Sequence, residues 1–387
     1  MPVFSDAVTD LDAIGARPIP EFDGLGDVWP RGARLEAIRS AAEAFRVRFK
    51  AQGEVLGARS VNIAAAPYPT RYAFGGAAIG PNPMVSIINR MIVVQYEDFS
   101  GVMRTLVWEP TVAAGSAEAP FYAKLSKLGG EFLSNKVFSQ LYNDPEDVLP
   151  QCGLTVDDVD YASFDHLHVQ DPRMLLGTTA PFNGESEARE PLFPNAKFIV
   201  QRKEVATLDD LHPMQWAWYV EDGLRDAQVD RFALIEGDVE LGKGVAIVWT
   251  PGHTDGNHSL VLNTPDGVWV SSENGVSADN WHPEHSKIPG VRRHAEFFGR
   301  EVILNSNTLE DSLDQYDSMI KEKTIADPLP SDPRWRQVLP SSELSTWKRH
   351  WPVVATHTYG GINYGTLVKP ADQKPKGERK SAAPTAS

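Results

Sequence analysis

Asp165-His166-Leu167-His168-Val169-Gln170-Asp171 closes an apolar, aromatic run, Val159-Asp-Tyr-Ala-Ser-Phe164. Residues two apart in an extended segment project to the same face, so His166 and His168 aim both imidazoles at one point. Asp171 comes within reach once the chain turns. Imidazole and carboxylate are the ligands that hold a borderline metal such as zinc. An H-x-H alone arises often by chance. A second segment, Thr250-Pro-Gly-His253-Thr-Asp-Gly256, strengthens it, because another apolar strand there delivers one more histidine at a turn. All ten histidines lie between His166 and His357, which concentrates any metal chemistry in the second half of the chain.

The rest of the composition bounds the answer. A chain of 387 residues has room for one large domain or two ordinary ones, each with a substantial core. Apolar residues make up 42% and charged residues 23%, the balance of an ordinary globular protein. With 37 basic against 52 acidic residues the net charge is −15, which argues against a nucleic-acid partner, since that needs a basic surface. The single cysteine, Cys152, excludes an intramolecular disulfide and reads as a small buried thiol. No stretch approaches the ~18 apolar residues that span a bilayer, and the acidic N-terminus lacks a secretory pattern. A cytoplasmic protein acting on a small molecule, without nucleic acid or membrane, is expected; a homo-oligomer stays open.

Along the chain, residues 1 to 30 read as an irregular arm and 34 to 50 as an amphipathic helix, with Arg39, Arg46, Arg48 and Lys50 on a solvated face. Pro67 and Pro69 break the β region that starts at Val61. Met91–Tyr96 and Val102–Trp108 flank Glu97-Asp-Phe-Ser-Gly101 as a hairpin. Residues 121 to 149 carry helical spacing, divided at Gly129-Gly130. A helix over Leu309 to Ile320 has Thr308 and Asp311 in capping-box spacing. Val353-Val-Ala-Thr reads as a strand leading to His357. The aromatic cluster Trp216, Trp218 and Tyr219, with Trp281 further on, reads first as core and second as the wall of an apolar pocket. His258 reads as a local hydrogen-bonding group, and His282 with His285, separated by Pro283, as a surface loop. The organisation expected is an arm and helix over 1–55, a catalytic domain over 56–368 and a disordered tail over 369–387.

Taken together, His166-Leu-His168-Val-Gln170-Asp171, Thr250-Pro-Gly-His253-Thr, Val268-Trp-Val-Ser-Ser-Glu273 and Val353-Val-Ala-Thr-His357 resemble the metallo-β-lactamase superfamily. Its usual pattern is H-x-H-x-D-H, then T-P-G-H-T, an acid after a later strand and a last histidine. The resemblance spans roughly residues 60 to 365. It implies an α/β fold, an αββα sandwich of two mixed β-sheets flanked by helices. It implies a first metal site on His166, His168 and His253, and places Glu109 behind the metal loop. Gln170 stands where the family has Asp and Asp171 where it has His, so a second ion would draw only on Asp171, Glu273 and His357.

The function implied is hydrolysis by a metal-bound hydroxide, on one or two zinc ions, with manganese and iron compatible. Asp171 substitutes for the missing carboxylate, with Gln170 beside it able to hydrogen-bond water but not to take its proton. Trp216, Trp218, Tyr219 and Trp281 would favour a small apolar or aromatic ester, lactone or related carbonyl compound. A hydrolytic dehalogenase, or a mono-metal or metal-free binder of the same fold, is the competing expectation.

Overall fold

The computed structural model describes residues 8–133, 140–181, 184–307 and 312–369. Alternation of side chains along the strands decides its layers. In the hairpin Met84–Glu97 and Met103–Trp108, Ile92, Val94, Leu106 and Trp108 point inward, onto Val245, Ile247, Leu260 and Leu262 of a second sheet. Their neighbours Val93 and Val107 point outward, onto Val148 and Leu149 of helix Pro145–Gln151. The second sheet alternates the same way. Its outer residues Ala246, Val248 and Val261 meet Phe45 and Phe49 of helix Arg31–Gln52 and Met319 and Ile320 of helix Ser312–Ile325. Each large apolar side chain fully buried like these contributes roughly 1.5–3 kcal/mol by leaving water. The result is four layers, helix on sheet on sheet on helix, as expected.

Both sheets are mixed. The nine-stranded sheet runs Asn363–Gly365, Gly57–Pro69, Met84–Glu97, Met103–Trp108, Tyr161–Ser163, Lys197–Gln201, Phe232–Ile235, with Ser342–Leu344 and Gln140–Leu141 paired off this path. Its last three junctions along that order are parallel. The six-stranded sheet runs Arg17–Pro18, Val239–Gly242, Val245–Trp249, His258–Thr264, Gly267–Ser272, Val338–Pro340, and only its final junction is parallel. Strand Tyr161–Ser163 lies between parallel neighbours, so the segment after it emerges at one edge of the sandwich. His253 arrives there from the turn between Val245–Trp249 and His258–Thr264.

Several expectations change. The N-terminal arm is not wholly irregular, because Arg17–Pro18 adds an edge strand to the smaller sheet. The basic face of the first helix is bonded: Arg48 reaches Glu21 and Glu240, Arg39 reaches Glu301, and Lys50 reaches Asp327. Strand Gly57–Pro69 runs through both prolines. Pro67 faces Ser86, but the two carbonyls turn away from each other, one accepting from Tyr122 at 3.4 Å and the other from Ser345 N–H at 2.8 Å. A proline there costs no ladder bond. Leu141, expected in a helix, is exposed on a two-residue strand. Val353 to Thr356 forms no strand, since its amides go to local turns and to the Asp279 carboxylate. Thr308 and Asp311, with the capping pattern expected of them, lie outside the described residues, as do Val137, Phe138 and the tail from 370. Among the described residues no helix is long and apolar enough to cross a membrane.

Candidate metal centre

The backbone after Ser163 is held by donors and acceptors from four other segments. Asp165 N–H donates to Glu109 Oε1 at 2.6 Å, Leu167 N–H to Glu204 Oε1 at 2.7 Å and Val169 N–H to Trp218 O at 2.7 Å, while Asp165 O accepts from His258 N–H at 2.9 Å. Val169 is pinned at φ 54°, a conformation a β-branched residue adopts only when its surroundings impose it. The Thr250–Gly256 turn is equally constrained. At Gly252, with φ 118°, a Cβ would lie 2.1 Å from Gln315 N, so only glycine lets the turn pack on helix Ser312–Ile325. These supports bring one nitrogen each of His166, His168 and His253 within 4.8 Å of one another, and all three side chains are buried.

The nitrogens facing away are already committed. His166 Nδ1 lies 2.5 Å from Asp165 Oδ1, and His168 Nε2 lies 2.5 Å from Gln215 Oε1. That leaves His168 Nδ1 only 3.3 Å from His253 Nε2. Burial, then the neighbouring histidines, push His168 well below the usual imidazole range; burial and His166 push His253 down to about 3. Gln215 accepting at Nε2 gives His168 the tautomer whose Nδ1 carries a lone pair. Asn307 Nδ2 also lies 3.3 Å from His168 Nδ1, and three imidazole nitrogens gathered in one buried space form a donor set that fits a metal ion. Burial opposes ionisation of Asp165, but the facing His166 together with hydrogen bonds to Ser341 and Glu109 holds that carboxyl below its ordinary value. Glu109 behind it is pushed well up by burial and by the Asp165 charge. The two acids lie under the imidazoles as an outer support that fixes ring orientation.

The three histidines line a cavity of about 390 Å³. Gln170 lines it too, with Nε2 donating to Thr111 Oγ1 at 2.9 Å. Glu273 lines it, buried, accepting Ser342 N–H at 2.9 Å, its carboxyl pushed well up by burial and by Asp165. Asp171 and His357 are not brought to the histidines. Asp171 is paired with Arg173, and His357 stacks on Trp335 at 5.2 Å between ring centres. The tryptophans divide likewise. Trp218 lines the cavity, stacked on Phe121 at 4.7 Å, and Tyr219 packs edge-on against His168 at 4.8 Å. Trp216 is 60% exposed, and Trp281 is fully buried in the core with its indole N–H on Glu322. His258 has the local role expected, its Nε2 3.2 Å from Ser163 Oγ.

No family model matches the chain. An N-acyl homoserine lactonase of Bacillus thuringiensis is 27% identical over 161 residues, covering 40% of this chain and 55% of that protein. One from Bacillus cereus is 27% identical over 141 residues, covering 35% of this chain and 47% of that protein. The chain thus spans about half the length of the curated relatives it matches. Two mixed sheets with flanking helices and a buried three-histidine cluster are what the resemblance to the metallo-β-lactamase superfamily implies. A solved structure of AidC, a dizinc quorum-quenching lactonase in complex with a product, aligns with a TM-score of 0.46 at 10% identity over 80% of this chain and 93% of that one.

Three supports of the centre went unseen in the sequence. Glu204, fully buried, accepts from Leu167 N–H, from Tyr219 Oη at 2.7 Å and from Thr254 Oγ1 at 2.6 Å, so it ties both histidine-bearing turns together. Gln215 orients His168. Asn305 accepts from Tyr68 Oη at 2.5 Å on the cavity wall. The aromatic run around Gln215 drew attention to its tryptophans instead. Glu204 stands in the first turn of helix Arg202–Asp209 with no pattern to mark it.

Proposed function

We propose that the protein is a metal-dependent hydrolase that opens a lactone or cleaves an ester bearing an apolar arm. The observation that carries this is the three buried imidazoles converging at a cavity whose other walls are largely apolar, including Ala64, Ala66, Ile87 and Trp218. His166, His168 and His253 would hold the ion, and zinc suits three neutral imidazoles best. When bound, such an ion acidifies a water and polarises a carbonyl oxygen. The chain's own residues do the rest. Asp165 and Gln215 fix the imidazole planes, and the alanines and Trp218 exclude water from around the substrate arm. Gln170, its amide nitrogen given to Thr111, orients water with its oxygen but takes no proton. Glu273 is the carboxyl group on the cavity wall, with Oε2 accepting from Ser342, so Oε1 is the atom that moves a proton between attacking water and leaving oxygen. Asp171 takes no part in the chemistry.

The names of the relatives make N-acyl homoserine lactones the first lactones to assay. A panel of lactones, aryl and acyl esters, thioesters and phosphodiesters, run on wild type and Trp218→Ala, tests the reading. The expected outcome is turnover of lactones or esters with long or aromatic arms, and for Trp218→Ala a rise in KM larger than the fall in kcat. Preference for phosphodiesters, or an unchanged KM in a folded variant, would reject it.

A further inference from the structure

The sequence pattern allows for a second ion drawing on Asp171, Glu273 and His357, and the structure disperses that set. Both oxygens of Asp171 are taken by Arg173: Nε to Oδ1 at 2.9 Å and NH2 to Oδ2 at 2.8 Å, with the Arg173 backbone N–H on Oδ1 at 3.1 Å. The pair is buried, at 4% and 8% exposure, where parting a bidentate guanidinium from its carboxylate leaves both charges uncompensated. Gln170 is neutral, and its amide is turned to Thr111. His357 lies flat on Trp335, and the residue before it is anchored to Asp279 through both Thr356 N–H at 2.9 Å and Oγ1 at 2.5 Å. Of that set, only Glu273 remains on the cavity wall. One carboxylate is too few ligands for a divalent ion that takes four or more. Among the described residues, the three histidines are the one cluster able to hold a metal.

Resting on the metal-dependent reading above, we propose that the centre is mononuclear: one ion on His166, His168 and His253, with the buried Asp171–Arg173 ion pair standing in the place of a second ion's ligands. The guanidinium neutralises Asp171 permanently, and the pair also closes the turn after the H-x-H, since Asp171 O and Oδ1 accept from Met174 N–H and Arg173 N–H at the start of helix Arg173–Leu176. Arg173 is thus the residue that fixes the metal count, and Gln170 is the neutral residue that leaves the adjoining wall without charge.

Titrating the metal-free full-length protein with cobalt(II), followed by its visible absorbance and by elemental analysis after dialysis, reads the count directly. The expected end point is one equivalent per chain, unchanged in His357→Ala. Two equivalents would overturn this proposal while leaving the three-histidine centre intact; no uptake would overturn both. The triple variant Gln170→Asp, Asp171→His, Arg173→Ala, if it folds, is expected to take a second equivalent. A folded triple variant that still stops at one would overturn the assignment of the exclusion to these residues. Should it not fold, the wild-type end point decides.

Discussion

Arg173 and Asp171 form a buried ion pair next to the centre, and that changes what substitution there should do. Asp171→Ala strands a guanidinium in low dielectric, with an expected cost of about 3–5 kcal/mol in stability. A thermal melt should detect that loss, and a variant that melts like wild type while losing turnover would instead make Asp171 catalytic. Glu204 and Gln215 behave differently, since each acts on a ligand through a hydrogen bond. Gln215→Ala and Glu204→Gln should weaken metal affinity by roughly 10–100-fold with the fold retained, read by competition with a chromophoric chelator. Affinity within a factor of two of wild type would remove both from the site. The sequence showed the three histidines because each sits inside a short contiguous pattern, H-x-H or T-P-G-H. It concealed their supports because acceptors such as Glu204 and Gln215 come from distant positions that no spacing rule marks. Asp171 was misplaced for a related reason. Spacing says which residues are near in the chain, whereas a side chain two positions on, Arg173, decides which way the carboxylate turns.

At the scale of elements, the two histidine-bearing turns are coupled through glycines that let other backbone come close. A Cβ on Gly256 would lie 2.3 Å from Glu204 Cβ. Gly256→Ala should therefore displace Glu204 from Leu167 and Thr254, at about 1–3 kcal/mol of overpacking cost together with weakened metal binding. Denaturant midpoints and metal affinity measured on the same variant check it; a lowered midpoint with affinity untouched would show that the turns are not coupled. The aromatic residues separate along the same line. Trp281→Ala removes a core side chain and should cost about 3–5 kcal/mol, whereas Trp218, buried yet on the cavity wall, should when cut to alanine raise KM as well as lower stability. Hydrophobic periodicity revealed the first helix and the central hairpin, because each buries a repeating face. Val353 to Thr356 carries the composition of a strand, yet Asp279 takes its amide and keeps it off the sheet. Periodicity is blind to an acceptor on another segment, and His357, placed at the centre by the resemblance as the last histidine of the pattern, lies on Trp335 instead.

Across the whole molecule, burying histidines as neutral groups makes stability depend on pH. Burial holds His258, beside Trp108 and Ser163, down to about 4. In the unfolded chain the same group titrates near ~6.5, so between these values the unfolded state binds a proton that the folded state refuses. Stability from this residue is complete above about pH 6.5 and declines as pH falls toward 4, by something on the order of 3 kcal/mol. Denaturation of metal-free protein at pH 7 and pH 4.5 should show a decline, and His258→Asn should lessen it while His168 and His253 keep the rest; a decline of the same size in wild type and variant would contradict the account. Periodicity made only a layered α and β protein legible, with strands at a period of two and helices near 3.6, and the αββα order came from the resemblance carried by the histidine motifs. What the sandwich exists to hold is the three-histidine centre, and one measurement addresses it most directly. Lactone ring opening is followed on protein stripped with chelator, then on the same sample given one equivalent of zinc, with His168→Ala alongside. The account predicts activity lost on stripping, restored by that one equivalent in wild type and not restored in the variant. Full activity in stripped protein verified as metal-free, or equal restoration in His168→Ala, would contradict it.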